Sequence, residues 1–318
     1  MDTQPIRSEI SFTGLGDTLS AGLIGHKELI RRLLIALLSG GHVLIEGPPG
    51  IAKTRAVKLL SASLEGSFAR IQCTPDLMPS DLTGTPVYKP NSGDFEFVPG
   101  PVFHNLVLVD EINRAPPKVQ SALLEAMAEH QVTAGNTTHS LPDPFLVVAT
   151  QNPIEHDGTF PLPEAQLDRF LLHVQLDLPN IATERRILDL VEAETKNPPT
   201  PIEKMSLEDL DKAKSAAMAV HMSPELRDFI VRLVLATREG KLSQDVEHAV
   251  SPRGTLALAA AAKATAYLEG RDYAVPDDVI SIAQDAMAHR MVLTWRAVAD
   301  GRLPRAVIAD ILNAVDPL

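Results

Sequence analysis

The 318 residues are enough for about two domains, and a content of 45% hydrophobic and 22% charged residues is ordinary for soluble globular protein. A net charge of −12 argues against a general nucleic-acid groove, which shows itself as a basic patch or stripe. The lone cysteine, Cys73, allows no intrachain disulfide and disfavours a thiolate zinc site, while the absence of a signal-peptide core or an apolar run near the about 18 residues of a membrane helix leads to the expectation of a cytoplasmic protein.

Within residues 19–39, Leu29, Leu33, Leu34 and Leu37 recur at helical spacing with Lys27, Arg31 and Arg32 between them, and Gly40-Gly41 end the run. Residues 43–45 read as a strand, 47–50 as a Gly/Pro turn, and 52–60 as the start of a helix that ends near Gly66. A strand follows at 68–72. Residues 74–103 interrupt the alternation; Val87-Tyr88, the turn 91–93 and Phe95-Glu96-Phe97 suggest an inserted hairpin. Residues 105–110 form a continuous apolar run ending in acid, as expected of a buried parallel strand. A helix with Pro in its first turn covers 116–130, a second hairpin turns at Gly135-Asn136 within 131–141, and strands follow at 145–150 and 170–176. Five strands alternating with helices imply an α/β core with a largely parallel five-stranded sheet covered on both faces. The Pro-rich stretch 197–201 is the expected linker, dividing a core of 1–197 from a small all-helical region of 198–318 with helices at 224–238, 252–268, 276–289 and about 306–315. The alanine run 257–264 reads as close helix packing, and Trp295, the only tryptophan, as core of that second region.

Two stretches carry chemistry. The sequence GPPGIAKT at 47–54, between a strand and a helix, is built like a phosphate cradle: loop N–H groups converge on phosphate, Lys53 reaches the terminal phosphates and Thr54 ligates Mg²⁺. Gly47, Pro48, Pro49, Gly50, Ile51 and Ala52 form the loop. The usual glycine before the lysine is replaced by Ala52, which fits if its backbone is right-handed. The second stretch is Asp110-Glu111. Parallel sheets bind ligands beyond the carboxyl ends of their strands, so both acids are expected in the crevice of Lys53 and Thr54, with Asp110 suited to Mg²⁺ and Glu111 to polarising the attacking water. Asn152, at the end of a strand, could bond that water or the γ-phosphate, although alone an Asn before Pro is more often just a turn former. None of the ten histidines has zinc-ligand spacing, and no G-x-S-x-G nucleophile turn is present.

In order and spacing, GPPGIAKT, LVDEINRAPPKVQSALLEAM, ATQNP, LPEAQLDRF and SPRG resemble the MoxR family of AAA+ ATPases, over about residues 25–289. That resemblance implies a P-loop nucleotide-binding core with a helical lid, ATP and Mg²⁺ as ligands, and Ala as a usual residue before the P-loop lysine. It aligns 74–103 with the helix-2 insert shared with magnesium-chelatase ATPase subunits and minichromosome-maintenance helicases, and 131–141 with the pre-sensor hairpin. Asn152 corresponds to sensor 1, Arg253 to sensor 2 and Arg169 to the arginine finger, a group supplied to a neighbouring subunit's site. Alone, either arginine reads more readily as a surface or cap residue. Leu23 and Ile24, in AGLIG, resemble the segment that packs on adenine, or else ordinary helix-start packing. The family also implies a homo-oligomeric ring, with a hexamer as the expected size, and chaperone work on a client, in some members one with a von Willebrand factor A domain, in metal-cofactor insertion or complex assembly. A nucleic-acid motor and a non-hydrolysing nucleotide-gated scaffold are the alternatives; the acidic balance disfavours the first and the full set of catalytic positions the second.

Overall fold

The structure is a computed structural model and describes residues 12–91, 93–135, 137–153, 158–196 and 203–317. The expected linker at 197–201 and the turn residues Ser92 and Asn136 lie outside the described residues. In chain order the first half comprises α1 (Phe12–Gly22), α2 (Lys27–Ser39), β1 (Val43–Glu46), α3 (Lys53–Ala62), β2 (Phe68–Gln72), α4 (Pro79–Thr83), β3 (Gly84–Lys89), β4 (Asp94–Pro99), β5 (Leu106–Asp110) and α5 (Pro117–Glu129). Then come β6 (Gln131–Ala134), β7 (Thr137–Ser140), β8 (Leu146–Gln151), α6 (Glu164–Leu167), β9 (Leu172–Gln175) and α7 (Ile181–Lys196). The remainder is α8 (Leu207–Ala219), α9 (Pro224–Leu235), β10 (Val246–His248), α10 (Pro252–Leu268), α11 (Pro276–Met287), β11 (Val292–Leu293), α12 (Trp295–Ala299) and α13 (Pro304–Ala314).

The five expected strands form one parallel sheet in the order β2-β5-β8-β1-β9. The continuous apolar runs of the three central strands, β5, β8 and β1, follow from burial on both faces, whereas the edge strands β2 (FARIQ) and β9 (LHVQ) are only partly buried. Val43, Ile45, Leu106, Leu108, Leu146 and Val148 enter the apolar cluster on one face, and Leu44, Val107, Val109, Val147 and Ala149 the cluster on the other. The register pairs Glu46 with Gln151 and Gln72 with Asp110, which aligns the carboxyl ends along one edge.

The single helical run expected at 19–39 is two helices. Gly25 has φ 85°, a left-handed conformation that L side chains disfavour, and it turns the chain between α1 and α2. The inserted segment adds α4 and the β3–β4 hairpin, which carries exposed Tyr88 and Phe95 near its tip. Phe97 of that hairpin stacks on His139 of β7 at 4.0 Å between ring centroids, coupling the two hairpins.

After residue 203 the chain is helical, with a two-stranded antiparallel pair, β10–β11, that no run in the sequence marks. Ala257, Ala261, Ala262 and Ala264 are buried in α10, which packs against α2, α8 and α11. A polar tie joins the regions: Asp285 of α11 accepts from Arg32 of α2 at 2.6 Å and from Arg305 of α13 at 2.5 Å. Trp295 is not core. It is 81% exposed, beside exposed Val298 and Leu303, because α12 has room for only Ala297 against the interior. Among the described residues no helix is long and apolar enough to cross a membrane.

His42, beneath the sheet, gives the fold a pH dependence. Its Nδ1 accepts the Val147 N–H at 3.0 Å, which leaves Nε2–H to donate to the Met127 carbonyl at 3.2 Å, so the ring is neutral. Burial pushes its pKa down to about 4, with a smaller contribution from His130 and opposition from the Met127 bond. The unfolded chain therefore takes up this proton first as pH falls. The contribution is intact above pH 6.5 and is lost towards about pH 4, a change of about 3 kcal/mol. Denaturant unfolding between pH 7.5 and 4.5 should show a flatter stability slope in His42→Gln than in the parent; equal slopes would contradict the assignment.

Candidate functional site

The loop after β1 is shaped by its neighbours. A Cβ on Gly47 would lie 2.6 Å from Ile51 Cδ1 and 2.8 Å from the Leu176 carbonyl, so only glycine fits. Gly50 (φ 83°) and Ala52 (φ 62°) are both left-handed, with Ile51 between them outside that region. Such alternation turns successive N–H groups to one side, as an anion requires. The right-handed backbone expected at Ala52 is thus overturned: Ala52 is the residue before the helix, and α3 begins at Lys53. A left-handed alanine costs on the order of 1 kcal/mol, and packing of its methyl on the underlying apolar cluster offsets part of that.

Lys53 Nζ donates to the Gly47 carbonyl at 2.5 Å and the Gln151 carbonyl at 3.2 Å. Burial lowers its pKa, opposed by the charges of Asp110, Glu111 and Glu46. Two carbonyls hold its ammonium at the mouth of the loop, a cation placed where phosphate would sit.

The acids stand opposite. Thr54 Oγ1 lies 3.4 Å from each carboxylate oxygen of buried Asp110. Asp110 also accepts from Arg70 Nε at 2.7 Å and Thr150 Oγ1 at 3.2 Å. Glu111 is left-handed (φ 57°), with its N–H on Thr150 Oγ1 at 2.9 Å. Its carboxylate accepts from Gln72 Nε2 at 3.0 Å and Arg114 at 3.2 Å. Among the described residues the left-handed non-glycines are Ala52, Glu111 and His130, and two of the three lie here, where strain tends to collect at functional sites. Asn152 is buried, one residue beyond the Gln151 carbonyl that receives Lys53.

Beside the loop opens a pocket of about 420 Å³ whose walls include Leu23, Ile24, Ile51, Leu178, Ile187 and Val191. Its size and apolar lining suit a nucleobase, and Pro49, Gly50 and Ala52 connect it to the phosphate loop. Leu23 and Ile24, in the turn between α1 and α2, therefore line a cavity. A hydroxyl and a carboxylate converging at Thr54 and Asp110 fit Mg²⁺, which takes oxygen ligands, needs few from protein and shares the rest with phosphate and water.

Arg169 and Arg253 are elsewhere. Both line a second cavity of about 370 Å³ with Gly40, Gly41 and His42, at the amino end of β1, whereas the loop is at its carboxyl end. Arg169 donates to the Leu124 carbonyl at 2.7 Å, and Arg253 lies 3.6 Å from Asp168. The structure brings the two arginines to each other and not to the phosphate loop of their own chain.

Several site residues escaped sequence reasoning. Arg70, Gln72 and Thr150 could have been found from the strand ends aligned with Asp110. Arg114 could have been found as the i+3 neighbour of Glu111. The α7 wall of the pocket, and Arg55, which donates to the Gly22 carbonyl at 3.0 Å and pairs with Glu194, leave no local pattern.

Residues 42–172 match the profile of the ATPase family associated with various cellular activities (AAA), and residues 238–311 that of the AAA lid domain. Chaperone MoxR1 of Mycobacterium tuberculosis is 44% identical over 299 residues, covering 92% of this chain and 78% of that protein. Protein MoxR of Methylorubrum extorquens is 32% identical over 317 residues, covering 93% and 91%. The crystal structure of a candidate ATPase from Cytophaga hutchinsonii superposes with a TM-score of 0.87 at 41% identity, covering 95% of this chain and 93% of that one. With a phosphate loop, an acidic strand end and a lid in this order, the chain belongs to the MoxR family of AAA+ ATPases.

Proposed function

We propose that this protein hydrolyses Mg²⁺-ATP at a site completed by a neighbouring copy and uses the cycle to remodel a client protein. The observation that carries the reading is the meeting of Thr54 with Asp110, at 3.4 Å, beside Lys53 and an apolar pocket of nucleobase size. Lys53 and the N–H groups of the 47–54 loop hold the terminal phosphates, Leu23 and Ile24 pack on the base, and Thr54 and Asp110 hold Mg²⁺. The ion, when bound, neutralises charge on the β- and γ-oxygens. Glu111 takes a proton from water as the water oxygen bonds to the γ-phosphorus and the bond to the bridging oxygen breaks, giving ADP and phosphate. Asn152 orients that water or the γ-phosphate.

Positive charge on the equatorial oxygens then comes from Arg169, and with it Arg253, of the adjacent subunit. Their place in a cavity at the far end of β1 supports action in trans. Opposite ends of one chain meeting head to tail generate a ring, and the family resemblance favours a hexamer. A core of 1–197 and a lid of 198–318 change their mutual angle through the cycle and move the two hairpins, the first of which carries exposed Tyr88 and Phe95 suited to client contact. A relative named as a chaperone supports the client role, with metal-cofactor insertion or complex assembly as the setting and a von Willebrand factor A domain as the partner to test first. A cytoplasmic location fits this work.

Lys53→Ala should weaken binding of a fluorescent ATP analogue about 10- to 100-fold. Glu111→Gln should bind it normally and release phosphate on the order of 10²–10⁴ times more slowly; wild-type turnover in Glu111→Gln would remove Glu111 from the base role. Arg169→Ala should keep nucleotide affinity and lose on the order of 10³ in turnover, read in the same two assays.

A further inference from the structure

Arg290 is a buried guanidinium that the hydrolytic site does not touch. Its side chain is 3% exposed, and its two terminal nitrogens both donate to one short stretch of chain. Nε donates to the Ala286 carbonyl at 2.7 Å, within its own helical segment. NH1 donates to the Asp168 carbonyl at 2.6 Å and to the Asp168 carboxylate at 2.5 Å, while NH2 donates to the Phe170 carbonyl at 2.6 Å. The next residue back, His289, gives the Phe170 carbonyl a second bond through Nε2 at 3.0 Å. Ser251, which caps α10, places its hydroxyl 3.1 Å from both oxygens of the Asp168 carboxylate.

Both backbone carbonyls that flank Arg169, and the carboxylate before it, are thus fixed by residues of the lid match. The Arg169 side chain itself bonds to the Leu124 carbonyl of α5. A buried ion pair adds little net stability over apolar residues of the same volume, so stability does not explain why a guanidinium is kept at this point. Holding one peptide segment in one orientation does.

We infer that Arg290, assisted by His289 and Ser251, is a positioning residue that grips Asp168 and Phe170 and so aims Arg169, making the arginine offered to the neighbouring site a part that moves with the lid. This rests on the reading of Arg169 as acting in trans. Displacing a catalytic group by about 1 Å can cost on the order of 100-fold in rate. A change at the grip should therefore depress turnover in the neighbour and leave the phosphate loop of the same chain intact.

The test compares Arg169→Ala, Arg290→Gln and Asp168→Asn, with Ser251→Ala as a milder fourth variant, all as assembled full-length protein. Fluorescent ATP-analogue affinity should match the parent in each. Turnover should fall about 100-fold in Arg290→Gln and Asp168→Asn, and less in Ser251→Ala. Mixing any of them with Lys53→Ala subunits, which bring an undisturbed Arg169, should restore part of the activity; a generally misfolded subunit gains nothing from such mixing. If Arg169→Ala is inactive but Asp168→Asn and Ser251→Ala turn over like the parent, the grip is overturned while the role of Arg169 stands. The grip is likewise overturned if their defects resist rescue while that of Arg169→Ala is rescued. If Arg169→Ala itself turns over normally, the trans reading falls and the grip falls with it. Should Arg290→Gln not fold, Asp168→Asn and Ser251→Ala decide together, because Asp168 also lies 3.6 Å from Arg253. Loss of turnover in Asp168→Asn supports the grip when Ser251→Ala shows a milder, rescuable loss, and overturns it when Ser251→Ala turns over like the parent.

Discussion

The parallel register of β5, β8 and β1 is the constraint on which the site depends. It sets the end of β1, where the phosphate loop starts, level with the end of β5, where Asp110 and Glu111 stand, with β8 between them. The core alone would hold that register weakly. Each strand is apolar on both faces, so a shift of one residue would exchange Leu108 for Val109 and leave both buried. The strand ends supply the discrimination: the Cys73 N–H bonds to the Asp110 carbonyl at 3.0 Å, and Thr150 receives the Glu111 N–H while donating to the Asp110 carboxylate. The acids to which the proposed function gives the chemistry thereby also help to fix the strand alignment.

The same edge carries the backbone strain. Ala52 and Glu111 are left-handed at the two points where a strand hands over to a turn, each at a cost of about 1 kcal/mol or somewhat more. Glycine would remove that cost at position 52, but it would also remove the methyl group that packs beneath the loop. At 111 the side chain is the functional group, and the left-handed turn directs it to Gln72 and Arg114 while its N–H stays on Thr150. These contacts hold the carboxylate in place before any nucleotide arrives.

Much of this was legible because local pattern and final environment agree. The three central strands are apolar runs bounded by Gly, Pro or acid, and buried parallel strands look like that. The phosphate loop and Asp110-Glu111 could be placed together because the sheet type fixes which ends face a ligand. Where reading failed, a tertiary cause is visible. Ala52 was expected right-handed because local sterics favour it, and a tight loop overrode them. The stretch 19–39 reads as continuous because Gly22 and Gly25, set close to apolar residues, do not by themselves announce a turn. Helix α8 is rich in small and charged residues and has a weak apolar stripe. Trp295 was assigned to the core by its chemistry, yet its short helix buries Ala297 instead. Arg70 and Arg290 act on partners 40 and 122 residues away, and no periodicity records such pairs.

One chain carries a phosphate loop with two acids at the carboxyl end of β1 and two arginines in a cavity at its amino end, and the proposed function makes each of these half of a site shared between copies. Binding and hydrolysis should then respond differently to dilution, since the first needs one chain and the second needs two. The direct measurement is phosphate release per subunit across a dilution series, with nucleotide affinity and mass followed in the same samples. A site split between copies requires turnover to collapse as assemblies dissociate while nucleotide affinity persists. Constant turnover per subunit in dispersed single chains would contradict it.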